Sequence, residues 1–178
     1  MATLKAVPMS DKRFDEVSKL VRESYPKSCI LWIDEVVNPP LETAYAARKE
    51  ALCKLRGSHI IKEMQLFHGT SEESAMNIAR NGYDVAKNVV SAYGKGSYFA
   101  RKASTSFSYM KDNQEKVSFM LLNKVLMGIA ATYYGGTINT ALHDNSVDTL
   151  GLYPNIVVSP YNDGAVPLYV IAFYKYAK

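Results

Sequence analysis

His68, Tyr98, Ser106 and Tyr109 are the side chains of this chain whose types and settings can do chemistry together. They sit in three short pieces far apart in sequence. These are Leu66-Phe67-His68-Gly69-Thr70, then Tyr93-Gly94-Lys95-Gly96-Ser97-Tyr98-Phe99-Ala100, then the segment that holds Ser106 and Tyr109. Each piece alone is a weak signal. Together they supply what a flat, amide-bearing aromatic ring joined to a ribose needs. Two phenols can sandwich such a ring. A hydroxyl and the bare backbone of Gly69 can pin the amide, because no Cβ blocks the approach. One imidazole can hold a sugar hydroxyl. Gly94-Lys95-Gly96 lacks the third glycine and the strand–helix setting of a dinucleotide fingerprint, so a Rossmann reading fails. Lys95 reads equally as a phosphate contact or a surface lysine.

The elements that must position these residues are legible in outline. Asp11 to Ser24 predicts a helix, with Phe14, Val17, Leu20 and Val21 at helical spacing and Pro26 as its stop. Leu31 to Val37 is a short apolar run ended by Asn38-Pro39-Pro40. Leu41 to Leu55 predicts a second helix closed by Gly57. Met64 to Phe67 predicts a strand leading into His68. Thr70-x-x-Glu73 fits a capping box that begins a third helix, and Asn81-Gly82 fits its end. Asp84 to Ala92 reads as a loop over the site. Ser97 to Ala100 predicts a strand and Lys102 to Met110 a short helix, where Ser106 and Tyr109 share a face. Lys116 to Leu126, Asn155 to Ser159 and Leu168 to Tyr174 are β-rich. Helices cluster first and strands later, so the expected class is α+β.

Composition narrows the functional classes. The 178 residues suit a single domain, and 48% hydrophobic with 21% charged residues is ordinary for a globular protein. The 13 tyrosines mean that a tyrosine needs context before it counts as functional. A net charge of +4, with scattered Lys and Arg, favours a solvated surface over a nucleic-acid patch and suits an anionic small ligand. Cys29, Cys53, His59, His68 and His143 form no disulfide scaffold or metal spacing, so no metal is expected. The start is polar by Asp11, and the longest apolar run, Val117 to Ala131, is broken by Asn123, Lys124 and Gly128. Neither a signal peptide nor a membrane span is expected, and the expected setting is intracellular, nuclear or cytoplasmic.

The motifs resemble the catalytic domain of the poly(ADP-ribose) polymerase superfamily, ADP-ribosyltransferases of the diphtheria-toxin type, and its mono-ADP-ribosylating members in particular. The resemblance runs from about Ile30 to the C-terminus. It is carried by Ile33-Asp34-Glu35-Val36-Val37-Asn38-Pro39, His68-Gly69-Thr70 and Tyr93 to Ala100. Asp144-Asn-Ser-Val-Asp148, Pro154-Asn-Ile156 and Pro167-Leu-Tyr-Val-Ile171 continue it. It implies a mainly antiparallel, split β core flanked by helices. It also implies one catalytic domain over 1–178, with 1–29 as helix and lead-in and no helical regulatory domain. NAD+ would be the co-substrate. His68 would bond a hydroxyl of the nicotinamide ribose, with Gly69 and Thr70 beside it. Ser106 would hold the carboxamide, and Tyr98 and Tyr109 would stack on the pyridinium. At the third family position, where polymerising members carry glutamate, this chain has Ile156, or Leu168 if the last strand is shifted. Either aliphatic residue disfavours chain elongation.

The resemblance therefore implies transfer of one ADP-ribose to a protein acceptor, the protein itself included, most simply at Asp or Glu. The rival readings are a non-catalytic NAD- or partner-binding module of the same fold, and a transferase acting on nucleic-acid ends. No aromatic-basic stripe supports the latter.

Overall fold

The computed structural model describes residues 2–88 and 91–174. Among these residues nine strands and four helices follow in the order β1 (Thr3–Ala6), α1 (Lys12–Arg22), β2 (Cys29–Val37), α2 (Pro39–Arg56), β3 (Lys62–Thr70), α3 (Glu72–Asn81), β4 (Ser97–Ala100) and α4 (Ala103–Phe107). Then come β5 (Val117–Met127), β6 (Ala130–Ala131), β7 (Asn145–Val147), β8 (Ile156–Ser159) and β9 (Ala165–Tyr174). A short 3-10 turn spans Val85–Lys87. The class is α+β, as expected. Among the described residues no helix is long and apolar enough to cross a membrane.

The strands form one sheet in the order β1-β2-β9-β5-β3-β4-β8-β7-β6. Pairing is antiparallel except between β6 and β7, where Ala130 and Ala131 run parallel to Asn145 and Ser146. The sheet is nearly in two halves. β3 and β4 share the single pair Phe67↔Ala100, whereas β3 and β5 pair continuously from Lys62↔Met127 to Thr70↔Phe119. The split core is thus a ladder reduced to one rung.

β5 is central and almost wholly buried, because its side chains alternate between two covered faces. Phe119, Leu121 and Val125 join Leu66, Phe99, Val170 and Ala172 under Ala75 and Ala79 of α3. Met120 and Leu122 meet Phe67, Ile171 and Phe173 beneath Phe14, Val17 and Val21 of α1 and Ala103 of α4. Leu126 meets Val166 and Tyr45 and Leu52 of α2.

The helix ends show why the chain turns where it does. Asp11 caps α1, its carboxylate accepting from the Arg13 backbone N–H at 2.9 Å. Gly57 and Gly82 end α2 and α3 with φ of 95° and 78°, conformations that disfavour any other residue. The capping box expected at Thr70 is not formed. Thr70 is the last residue of β3, opposite Phe119, and the cap is Ser71, whose Oγ accepts from Ser74 N at 3.3 Å. Strand pairing holds Thr70 extended, so the backbone turns one residue later. β1, β6 and β7 were not expected. The predicted loop from Asp84 to Ala92 contains the 3-10 turn, and its Val89 and Val90 lie outside the described residues.

Asn38, buried at 3% exposure, joins two helices. Its Oδ1 accepts from Leu41 N at the start of α2, and its Nδ2 donates to the carbonyls of Ala79 and Arg80 at the end of α3, at 3.0 and 2.9 Å. Removing it strands three backbone groups. Asn38→Ala is expected to lower stability by about 2–3 kcal/mol in urea unfolding. A loss below about 0.5 kcal/mol, the usual scale of a surface change, would contradict this double cap.

Candidate active site

The site lies where β3 and β4 part. Beyond the Phe67↔Ala100 pair the ladder stops and leaves a gap between the two strands. The gap is bridged by a side chain: His68 Nδ1 lies 2.7 Å from the Tyr98 carbonyl oxygen. A carbonyl can only accept, so Nδ1 carries the proton and donates. Burial favours the neutral ring and lowers the His68 pKa, and the bond to the Tyr98 carbonyl offsets only part of this. A neutral ring protonated at Nδ1 leaves Nε2 as an acceptor, the form that receives a hydroxyl's hydrogen bond.

A cavity of about 230 Å³ opens in this gap, lined by His68, Gly69, Tyr98, Ser106, Tyr109 and Ile156 among others. Five of the six side chains expected at the site therefore line one space, together with Gly69; Thr70 does not. Tyr98 is fixed by its own loop. Its hydroxyl donates to the Gly94 carbonyl at 2.7 Å and accepts from Tyr93 N at 3.0 Å. The loop is braced in turn, since Lys95 N donates to Gly136 O at 2.8 Å and Gly135 N to Ala92 O at 3.2 Å. Lys95 itself lines neither this cavity nor its neighbour.

Gly69 has a second reason to be glycine. A Cβ there would lie 1.9 Å from the Ser106 carbonyl oxygen. The bare backbone thus lets α4 sit directly on β3 and brings buried Ser106 to the cavity. No hydrogen bond to Ser106 Oγ is formed among the described residues, so the hydroxyl remains available to a ligand. The helix expected over Lys102 to Met110 is shorter, Ala103–Phe107, because the chain then leaves in successive turns. Tyr109 N still donates to Ser106 O at 3.0 Å, which keeps the two residues on one side. Tyr109 is 66% exposed and lines the cavity from its solvent side.

Ile156 is the first residue of β8 and pairs with Ala100. Its N–H and that of Asn155 both donate to Asp148 Oδ1 at 3.0 Å, which fixes the turn that delivers it. Leu168 lines a separate cavity with Tyr45 and Glu63, so Ile156 is the residue at this mouth. Asp144 does not reach it either. That carboxylate accepts from Ile129 N and pairs with Arg56 at 3.2 Å.

Thr70 lines an adjoining cleft of about 710 Å³ with Glu73, Asn77, Tyr83, Asp84 and Lys87. His68 and Asn88 line both spaces, so the two cavities adjoin. Asn88, held by its Nδ2 donating to Ser97 Oγ at 3.1 Å, escaped the sequence reading. No motif marks it, because the loop on which it lies has no periodicity.

Residues 11–165 match the family described as the poly(ADP-ribose) polymerase catalytic domain. The chain belongs to this family. The human protein mono-ADP-ribosyltransferase PARP14 is 31% identical over 183 residues, which cover 93% of this chain and 10% of that protein. Human protein mono-ADP-ribosyltransferase PARP12 is 34% identical over 67% of this chain and 17% of its own length. The mouse PARP11 protein of the same description is 35% identical over 56% and 31%. The chain therefore spans a small part of each of these relatives.

Two outcomes test the geometry of this PARP domain. Gly69→Ala forces β3 and α4 apart and is expected to cost at least about 1–3 kcal/mol by urea unfolding. An alanine variant as stable as the wild type contradicts the close approach. The His68 ring followed by NMR is expected to titrate with a midpoint below the ordinary value of about 6.5, and a midpoint above it contradicts the buried neutral imidazole. The unfolded chain takes up this proton more readily than the native one. His68's contribution to stability is therefore complete above about pH 6.5 and is lost as pH falls through the native pKa.

Proposed function

We propose that this domain moves one ADP-ribose unit from NAD+ to a carboxylate of a protein acceptor and releases nicotinamide. The observation that carries the reading is the convergence of His68, Tyr98, Ser106 and Tyr109 on one cavity beside Gly69. In this reading the smaller cavity takes nicotinamide and the adjoining cleft takes the rest of the dinucleotide. The π-faces of Tyr98 and Tyr109 attract the cationic pyridinium. Ser106 Oγ and the Gly69 backbone hold the carboxamide. His68 Nε2 accepts from a hydroxyl of the nicotinamide ribose.

The chemistry then needs little beyond positioning. The bond between the ribose anomeric carbon and the pyridinium nitrogen breaks, and its electron pair leaves with neutral nicotinamide. The sugar develops oxocarbenium character, as at other glycosidic centres. An acceptor carboxylate oxygen forms the new bond to that carbon. A carboxylate is already deprotonated, so no base is required, which accords with an aliphatic Ile156 at the mouth. Orientation and exclusion of water supply the acceleration. The same Ile156 offers no group to activate a ribose hydroxyl for a second addition.

Intact-mass spectrometry after incubation with NAD+ tests the reading. Increments of single ADP-ribose units are expected, removable by hydroxylamine as an ester should be. His68→Ala is expected to slow modification about 100-fold or more. Long polymers would overturn the single-transfer reading. Binding of NAD+ without modification or nicotinamide release would overturn transfer and leave a binding module.

A further inference from the structure

A single hydrogen bond from Nδ1 to the Tyr98 carbonyl does not by itself orient the His68 ring, which can swing about that contact. Two aromatic rings close off the swing. Tyr83, from the loop after α3, packs edge-on against the imidazole, with centroids 5.4 Å apart and planes at 88°. Phe99 lies 5.9 Å away at 53°. Tyr83 and Phe99 themselves meet edge-on at 5.0 Å.

Tyr83 is anchored from inside the sheet. Its hydroxyl donates to Asn123 Oδ1 at 2.7 Å. Asn123 is fully buried in the middle of β5, at the bulge between residues 122 and 123. Its Nδ2 donates to the Leu66 and Leu121 carbonyls, each at 3.2 Å. Both amide hydrogens are thus used, which fixes the flip of the amide and leaves Oδ1 aimed at the phenol. A polar side chain in a central apolar strand is costly unless every group is matched, and here each is. Leu66 lies two residues before His68 on the same strand. The network therefore runs from the β3 backbone through Asn123 and Tyr83 and back to the imidazole that β3 carries.

We propose that Asn123 and Tyr83 are positioning residues, a buried amide–phenol clamp that holds the His68 imidazole with Nδ1 on the Tyr98 carbonyl and Nε2 free for the ligand. The assignment rests on the reading of these adjoining cavities as the NAD+ site. Neither residue touches the reacting atoms, although Tyr83 also walls the larger cleft beside His68. Burial raises the Tyr83 pKa well above the ordinary tyrosine range, so the phenol stays a donor throughout neutral pH. Sequence inspection passes over the pair because 40 residues separate its members, and Asn123 reads only as a break in an apolar run.

The test pairs imidazole ¹⁵N NMR with steady-state kinetics on Tyr83→Leu, Asn123→Ala and their double variant. Tyr83→Phe keeps the ring and serves if the others fail to fold. Leu52→Ala, in the separate cluster under α2, is the control for general destabilisation. The wild type is expected to show the Nδ1–H tautomer alone. The clamp variants are expected to show mixed tautomers, with kcat/KM for NAD+ lower on the order of ten- to a hundredfold per folded molecule. The double variant should lose no more than the worse single one, because the two act as a unit. Leu52→Ala should keep tautomer and rate. An unchanged single tautomer in the folded variants, or losses that multiply, overturns the clamp. A wild type that neither binds nor consumes NAD+ overturns the functional reading instead, and the tautomer result still decides the clamp.

Discussion

The bond from His68 Nδ1 to the Tyr98 carbonyl replaces, with a side chain, a rung that the sheet does not make. On the far side of β3 every residue from Lys62 to Thr70 is paired with β5. On the near side the ladder stops after one pair, and the carbonyl left without a strand partner is taken by the imidazole. This contact does two things. It satisfies a carbonyl at the lip of a cavity, and it fixes the imidazole's proton on Nδ1. The open gap and the acceptor that faces it have one cause.

The other parts hold that gap at a fixed width. Gly69 allows the backbone of α4 to rest on β3, which sets Ser106 and Tyr109 along one wall. The Tyr98 hydroxyl is bound by the Tyr93–Gly94 loop, and that loop is braced by Gly135 and Gly136, both in the left-handed region. The turn before Ile156 is tied by Asp148. Asn88 crosses from one cavity to the next while bonded to Ser97. Each wall is carried by a contact outside the cavity, so the site is built before any ligand arrives.

The candidate site was readable because its residue types sit in short, dense motifs. A histidine followed by glycine, and a tyrosine two residues beyond the Gly94/Gly96 pair, are local patterns. α1, with its clear apolar stripe, and α2 and α3, with their end signals, were equally readable, although Leu55, expected on the apolar face of α2, is exposed. The α3 start was misplaced by one residue because Thr70 and Ser71 are both hydroxyl residues, and strand pairing, which is not local, decides between them. β6 and β7 were missed because they are two and three residues long, too short for any alternation to show, and β1, as short as β4, has no motif beside it. Tyr109's exposed position could not be read, since its short helix ends before it. Tyr83 and Asn123 carry no signal of their own. Their meaning arises only when β3, β5 and the loop after α3 come together.

The central claim is that a nicotinamide ring enters the gap between β3 and β4 with its ribose on His68. A crystal structure of the domain with a non-hydrolysable NAD+ analogue tests this most directly. The expected result has the carboxamide ring between Tyr98 and Tyr109, its amide on Gly69 and Ser106, and a ribose hydroxyl within hydrogen-bond distance of His68 Nε2. An analogue bound elsewhere on the domain, with that gap closed or the imidazole turned away, would contradict it.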